Sequence, residues 1–250
     1  MAALRTLWKA LVGLYEDTLV LVFGNVGAVA LNVPIGLMLF LIVVPFAGTG
    51  AGPAEGDGGI AQWLLLLIAW MLLFLPTPGN VALSGLALVA AGPDVPRMTQ
   101  FWASLNAHWR LGLRCLLLSL IVLVALLANV YFYAVLSTGW LRFVSIVWLY
   151  GALFWLSLHL YLVPLLVYVS EPRLLDLYRR AAFVALGHPA YTIMLLLVLL
   201  IVGFASVVFL PVYVLAAGVF VSLVQAHALR EIRRRHGEVL EAPVDEGGRL

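Results

Sequence analysis

The chain has 250 residues, of which 64% are hydrophobic and only 10% charged, and its formal net charge is +2. Soluble domains carry about 25% charged and about 45–50% apolar residues, and a chain this short cannot hide the present excess in a water-soluble core. With a mean hydropathy of +1.10, the composition excludes an ordinary soluble domain. It points to an all-α, polytopic transmembrane helical bundle.

The N-terminal stretch pairs Arg5 and Lys9 with an apolar run far longer than the about 7–15 residues of a signal-peptide core, so the expectation is an uncleaved segment. Within it, Leu4, Leu7, Trp8, Leu11 and Tyr15 share one helical face, opposite Arg5, Lys9 and Glu16. That pattern predicts a helix lying at the membrane interface, with aromatics at the headgroups and cations near anionic lipid.

A crossing helix needs about 20 mostly apolar residues. Six segments qualify: 18–46, 60–91, 111–136, 141–169, 189–210 and 211–229. The last two form one stretch, residues 190–229, without Asp, Glu, Lys or Arg. As one helix that stretch would be about twice as long as the hydrocarbon is thick, so a turn is expected within Gly203–Pro211.

Two spans carry breaks. In the first, Gly24, Ala28, Asn32 and Gly36 recur every fourth residue, a small-residue stripe that permits close helix contact, and Pro34 is expected to interrupt the same helix. In the second, an apolar run ends at Pro76-Thr77-Pro78-Gly79-Asn80 and then resumes. Two prolines and a glycine remove backbone hydrogen bonds that protein, water or a ligand must replace at membrane depth. Asn25, Asn32, Pro34, Pro76, Thr77, Pro78, Gly79 and Asn80 are therefore the candidate ligand or helix-packing site. A sealed kink and a transport site at facing broken helices are both open.

Between the spans, Gly48–Gly59 reads as a flexible outer loop. Two further interfacial helices are predicted. The first places Met98, Phe101, Trp102, Leu105 and Trp109 on one face and turns Gln100, Ser104 and Arg110 away, with Asp94 and Pro96 as start signals. The second is Pro172–Leu186, where Asp176, Arg179 and Arg180 make a polar side broken by Phe183. Residues 237–250 read as a polar cytoplasmic tail.

Orientation follows from lysine and arginine. Of the fourteen, only Arg142 falls in a connection on the side opposite the N-terminus. Six crossings with both termini in the cytoplasm satisfy that asymmetry.

The sequence carries no acid or base mid-span, where transporters that couple to ions place one. His159, between Trp155 and Tyr161, is the one titratable group well inside a span, and reads as an interhelical hydrogen-bonding residue rather than a proton relay. No hydrolase, zincin or phosphate-loop motif is present, and the lone Cys115 supports neither a disulfide nor a cysteine-rich metal site. The expectation is a non-enzymatic protein without cofactors or nucleic-acid partners, whose partners are the lipid bilayer and, through its cytoplasmic helices, transporter subunits.

Asn25, the tripeptide Asn32-Val33-Pro34 and Leu75–Leu83, together with Phe101–Arg110 and Leu174–Pro189, resemble the YesL-like (DUF624) family of bacterial membrane proteins. The resemblance implies an accessory or modulatory role beside a carbohydrate importer, and transfers no catalytic or binding residue. The alternative is a small-molecule permease with its own path at the two broken helices. Arg180-Ala181-Ala182 with Gly187 only partly matches the coupling signature of ATP-driven permeases, since the glutamate is missing.

Overall fold

The computed structural model describes residues 2–47, 66–169 and 173–235. Described residues are helical apart from short turns: α1 (Ala2–Glu16), α2 (Thr18–Ala47), α3 (66–72), α4 (Pro78–Ala90), α5 (Met98–Tyr131), α6 (Val144–Tyr168), α7 (Leu174–Gly187), α8 (Pro189–Val208), α9 (Leu210–Val212) and α10 (Gly218–Arg235). A π turn, Phe132–Leu136, extends α5, and another, Tyr213–Ala217, joins α9 to α10. Five stretches are long and apolar enough to cross a membrane: Thr18–Ile42, Met98–Leu136, Gly139–Tyr168, Pro189–Val208 and Leu210–Arg234. The chain is thus an all-α, multi-pass membrane bundle. The loop at Gly48–Gly59, the start of the second span at 60–65 and the tail at 237–250 lie outside the described residues.

The broken segment runs antiparallel to α2. Gly36 faces Leu72, Ala28 and Asn32 face Gly79, and Gly24 faces Leu83 and Leu86, so α3 and α4 descend along α2 in line with each other. The four-residue stripe of α2 is therefore its seam with the broken segment, where a larger side chain would collide: a Cβ on Gly24 would stand 2.7 Å from Leu86 Cδ2. Gly139 turns the chain between α5 and α6 at φ +63°, a left-handed conformation that favours glycine.

Three expectations need correction. Pro34 does not interrupt its helix: α2 runs unbroken through it, a proline being tolerated inside a membrane helix despite the lost hydrogen bond and the ring's contact with the preceding turn. Met98–Arg110 is not a separate surface helix either. It is the first part of α5, whose 34 residues extend about 51 Å against about 30 Å of hydrocarbon. Phe101 and Ser104 are buried, Ser104 Oγ donating to the Val81 carbonyl at 3.1 Å, so this part packs on α4. Finally, Ser104, expected on the polar side with Gln100 and Arg110, turns inward, while Arg110 stays exposed.

α1 lies along α10, burying the small side chains of Ala3, Thr6 and Ala10. Its bulky residues Leu4, Trp8, Leu11 and Tyr15 stay exposed, as lipid-facing residues would be. Backbone bonds from Asp17 N to the Gly13 carbonyl and from Leu21 N to the Asp17 carbonyl carry hydrogen bonding across the junction with α2. α7 buries Leu177, Tyr178, Ala181 and Ala185 and exposes Arg179, Arg180 and Phe183. The turn between the last two long segments falls at Phe209.

Candidate functional site: asparagines at the helix breaks

The break in the second span starts with a missing donor. In a regular helix the Leu72 carbonyl would accept from the N–H of residue 76, but Pro76 has none. Asn80 supplies it: Nδ2 donates to the Leu72 carbonyl at 2.6 Å and to the Leu75 carbonyl at 2.8 Å. Both amide hydrogens are thereby spent on backbone. Thr77 caps the new helix, its hydroxyl accepting from Asn80 N at 3.2 Å, and Pro78 occupies the first turn, where no N–H is needed. Gly79 has no room for a side chain: a Cβ there would meet the Ala28 carbonyl and Asn32 Oδ1. From Gly79 to Val89 every residue of α4 is buried.

Asn32 reaches the same break from α2. Its Nδ2 donates to Asn80 Oδ1 at 3.4 Å, a long bond, and its Oδ1 is buried without a protein partner. Pro34, half a turn on, is exposed.

Asn25 serves a different one. It is fully buried and inserts into the last long segment at the π turn. Nδ2 donates to the carbonyls of Tyr213 (3.0 Å) and Val214 (2.7 Å), while Oδ1 accepts from Val219 N at 2.8 Å. The side-chain amide thus stands between the Val214 carbonyl and the Val219 N–H, bridging a gap in the helical ladder. Gly218 makes this possible, since a Cβ there would lie 2.5 Å from Asn25 Oδ1. The structure therefore groups Asn32, Pro76, Thr77, Pro78, Gly79 and Asn80, and separates Asn25 from them.

His159 is fully buried in α6. Its Nδ1 is 2.8 Å from the Trp155 carbonyl, which can only accept, so Nδ1 carries the proton and Nε2 accepts from Ser119 Oγ at 2.8 Å. Ser119 is also 2.7 Å from the Tyr178 hydroxyl, which donates to the Cys115 carbonyl at 2.9 Å. Tyr178 stacks on Trp155 with ring centroids 5.2 Å apart. Ser119 and His159 have the separation of a nucleophile and its base, yet both are fully buried, and Tyr178 closes the remaining approach to Ser119. The network joins α5, α6 and α7. Sequence reasoning missed Ser119 and Tyr178; a hydroxyl in an apolar run and a tyrosine opposite the polar side of α7 were the available signals.

No family model, curated protein or solved structure matches the chain. The chemistry that can be assigned therefore rests on geometry. Among the described residues no group of three His, Cys, Asp or Glu side chains is placed to hold a metal ion.

Proposed function

We propose that the protein is a non-enzymatic component of the bacterial cytoplasmic membrane that assists or modulates a transport system, with carbohydrate uptake as the system its YesL-like resemblance implies. It crosses six times, with the broken α3–α4 segment as the second crossing and both termini in the cytoplasm. The observation that favours an accessory role is the use of Asn80: its two donors close the break on the carbonyls of Leu72 and Leu75, so neither is left for a passing solute. The exposed pair Arg179 and Arg180 on α7, one stacked over Phe183 at 5.5 Å, gives a partner a basic and aromatic surface.

Purification in a gentle detergent, followed by mass spectrometry, tests this reading. Transporter subunits should accompany the wild-type chain and be lost from Arg179→Gln/Arg180→Gln with membrane insertion unchanged. Recovery of the chain alone, with solute uptake into vesicles holding only this protein, would overturn it. That second reading, a small permease, is favoured by one observation, the unpartnered Asn32 Oδ1 at the break. Orientation is tested separately in a Cys115→Ala background. A cysteine replacing Asp57 should react with an impermeant thiol reagent in intact cells, whereas one replacing Glu238 should react only after the membrane is opened.

A further inference from the structure

We propose that the cavity between α1, the end of α4 and the end of α10 binds a phosphate group, carried by an anionic lipid or by a soluble phosphate compound. The cavity measures about 460 Å³, large enough for a lipid headgroup or a small phosphorylated molecule. Arg5 and Lys9 of α1 and Arg230 and Arg234 of α10 line it, against a single carboxylate, Glu231. That carboxylate is committed, since Glu231 Oε2 lies 3.4 Å from Arg234 Nη2. A cluster of this sign is costly to assemble unless an anion joins it, and guanidinium groups suit phosphate oxygens in particular.

A second observation is independent of charge. Two lining residues keep a buried nitrogen without a protein partner, Arg230 Nε and His227 Nε2. Buried polar atoms are nearly always satisfied, so two beside one cavity mark a place where a ligand acceptor completes the bonding. The rest of Arg230 explains why the site tolerates the end of a helix. Its Nη1 donates to the Ala91 carbonyl at 2.7 Å and Nη2 to the Leu88 carbonyl at 2.8 Å. These are C-terminal carbonyls of α4, the negative end of its dipole, and covering them removes their repulsion toward an anion. Asp94 adds attraction that holds the guanidinium there. Thr6, also on the lining, fixes α1 through its hydroxyl, 2.8 Å from the Tyr191 hydroxyl of α8. The cavity therefore sits on three braced helices, at the bundle end where α1 and α10 present their cations. Basic pockets between helices in that position hold phosphate-bearing headgroups.

The test uses the full chain in mild detergent, titrated with dioleoylphosphatidylglycerol, with dioleoylphosphatidylcholine, and with inorganic phosphate, while thermal stability is followed. Phosphatidylglycerol or phosphate should raise the melting temperature saturably, and phosphatidylcholine should not. Arg5→Gln/Lys9→Gln should weaken the apparent affinity about 10-fold to 30-fold. Arg110→Gln/Arg114→Gln, with the same charge loss at exposed positions away from the cavity, should leave it unchanged. Should the first double variant be unstable, Arg234→Gln at the exposed rim gives the same reading. Saturation by phosphate assigns a soluble ligand, and saturation by phosphatidylglycerol alone assigns a lipid. No saturable response to either, an equal response to phosphatidylcholine, or equal weakening in both double variants would overturn the proposal.

Discussion

The asparagines inside the bundle and the basic groups at its edge use their hydrogen-bonding capacity in opposite ways. Asn80 and Asn25 give both donors to backbone carbonyls, and Asn25 also accepts from an N–H. At the edge, Arg230 and His227 each retain a buried nitrogen with no protein partner. The difference follows from what surrounds each group. Within hydrocarbon an interrupted helix must be repaired by its own neighbours, so Asn80 and Asn25 are consumed by the fold. Near the headgroups, water and ligand atoms compete for the same donors, and capacity can be left for binding. The polarity of Asn80 and Asn25 is therefore evidence of repair, and the edge of the bundle is where recognition should be sought.

Removing a repair residue breaks this contrast most directly. Asn25→Leu strands two carbonyls and one N–H in the core and places a branched chain against Gly218. At the usual penalty for buried unsatisfied groups it should cost about 3 kcal/mol, seen as the largest drop in melting temperature of the substitutions considered. Asn80→Leu strands the carbonyls of Leu72 and Leu75 and should cost about 2 kcal/mol. Wild-type melting in either variant would mean that the side chain is spare, which would move it from repair to recognition.

The Asn80 arrangement was legible in the sequence because its cause is local. Pro76 deletes the N–H due to the Leu72 carbonyl, and the nearest amide able to replace it lies four residues on. The stripe Gly24, Ala28, Asn32 and Gly36 likewise marked the seam that α2 makes with the broken segment. Asn25 was not legible to the same degree. Its partners lie 188 and 189 residues away, at a π turn that no residue pattern announces. The continuation of Met98–Arg110 into α5 was missed for another reason. A change from amphipathic to wholly apolar sequence alters what a helix faces, but it is not a stop signal, and neither glycine nor proline lies between Trp109 and Leu111. The basic residues after Leu229 were visible only as a charge cluster. Nothing in their spacing indicates that Arg230 covers the end of α4.

A smaller effect is expected at the His159 network, where the lost group has fewer dependents. Ser119→Ala removes the hydroxyl between His159 Nε2 and the Tyr178 hydroxyl, while Tyr178 keeps the Cys115 carbonyl. One unsatisfied imidazole nitrogen should cost about 1 kcal/mol. The loss should appear as lower thermal stability, and partner recovery should be unaffected. Unchanged stability with altered transport would instead assign the network a role in proton movement.

The smallest effect is expected at Asn32, and it is the sharpest test of the contrast. If Asn32 and Asn80 formed one ligand site, their leucine variants would behave alike. The geometry argues otherwise. Asn32 makes one 3.4 Å bond and carries a buried Oδ1 with no protein partner. Asn32→Leu leaves Asn80 Oδ1 without its donor but also removes an unsatisfied acceptor of its own. The two changes have opposite sign, so the net should fall within about 0.5 kcal/mol of wild type. A melting comparison of the two leucine variants, beside a growth assay on carbohydrates that tests the proposed role, separates three outcomes. A large loss at Asn80 with almost none at Asn32 supports a sealed break. Equal losses of stability would make the two amides one structural unit. Wild-type melting of Asn32→Leu with lost growth would assign the free Oδ1 to a solute, and the broken segment would then be a transport path.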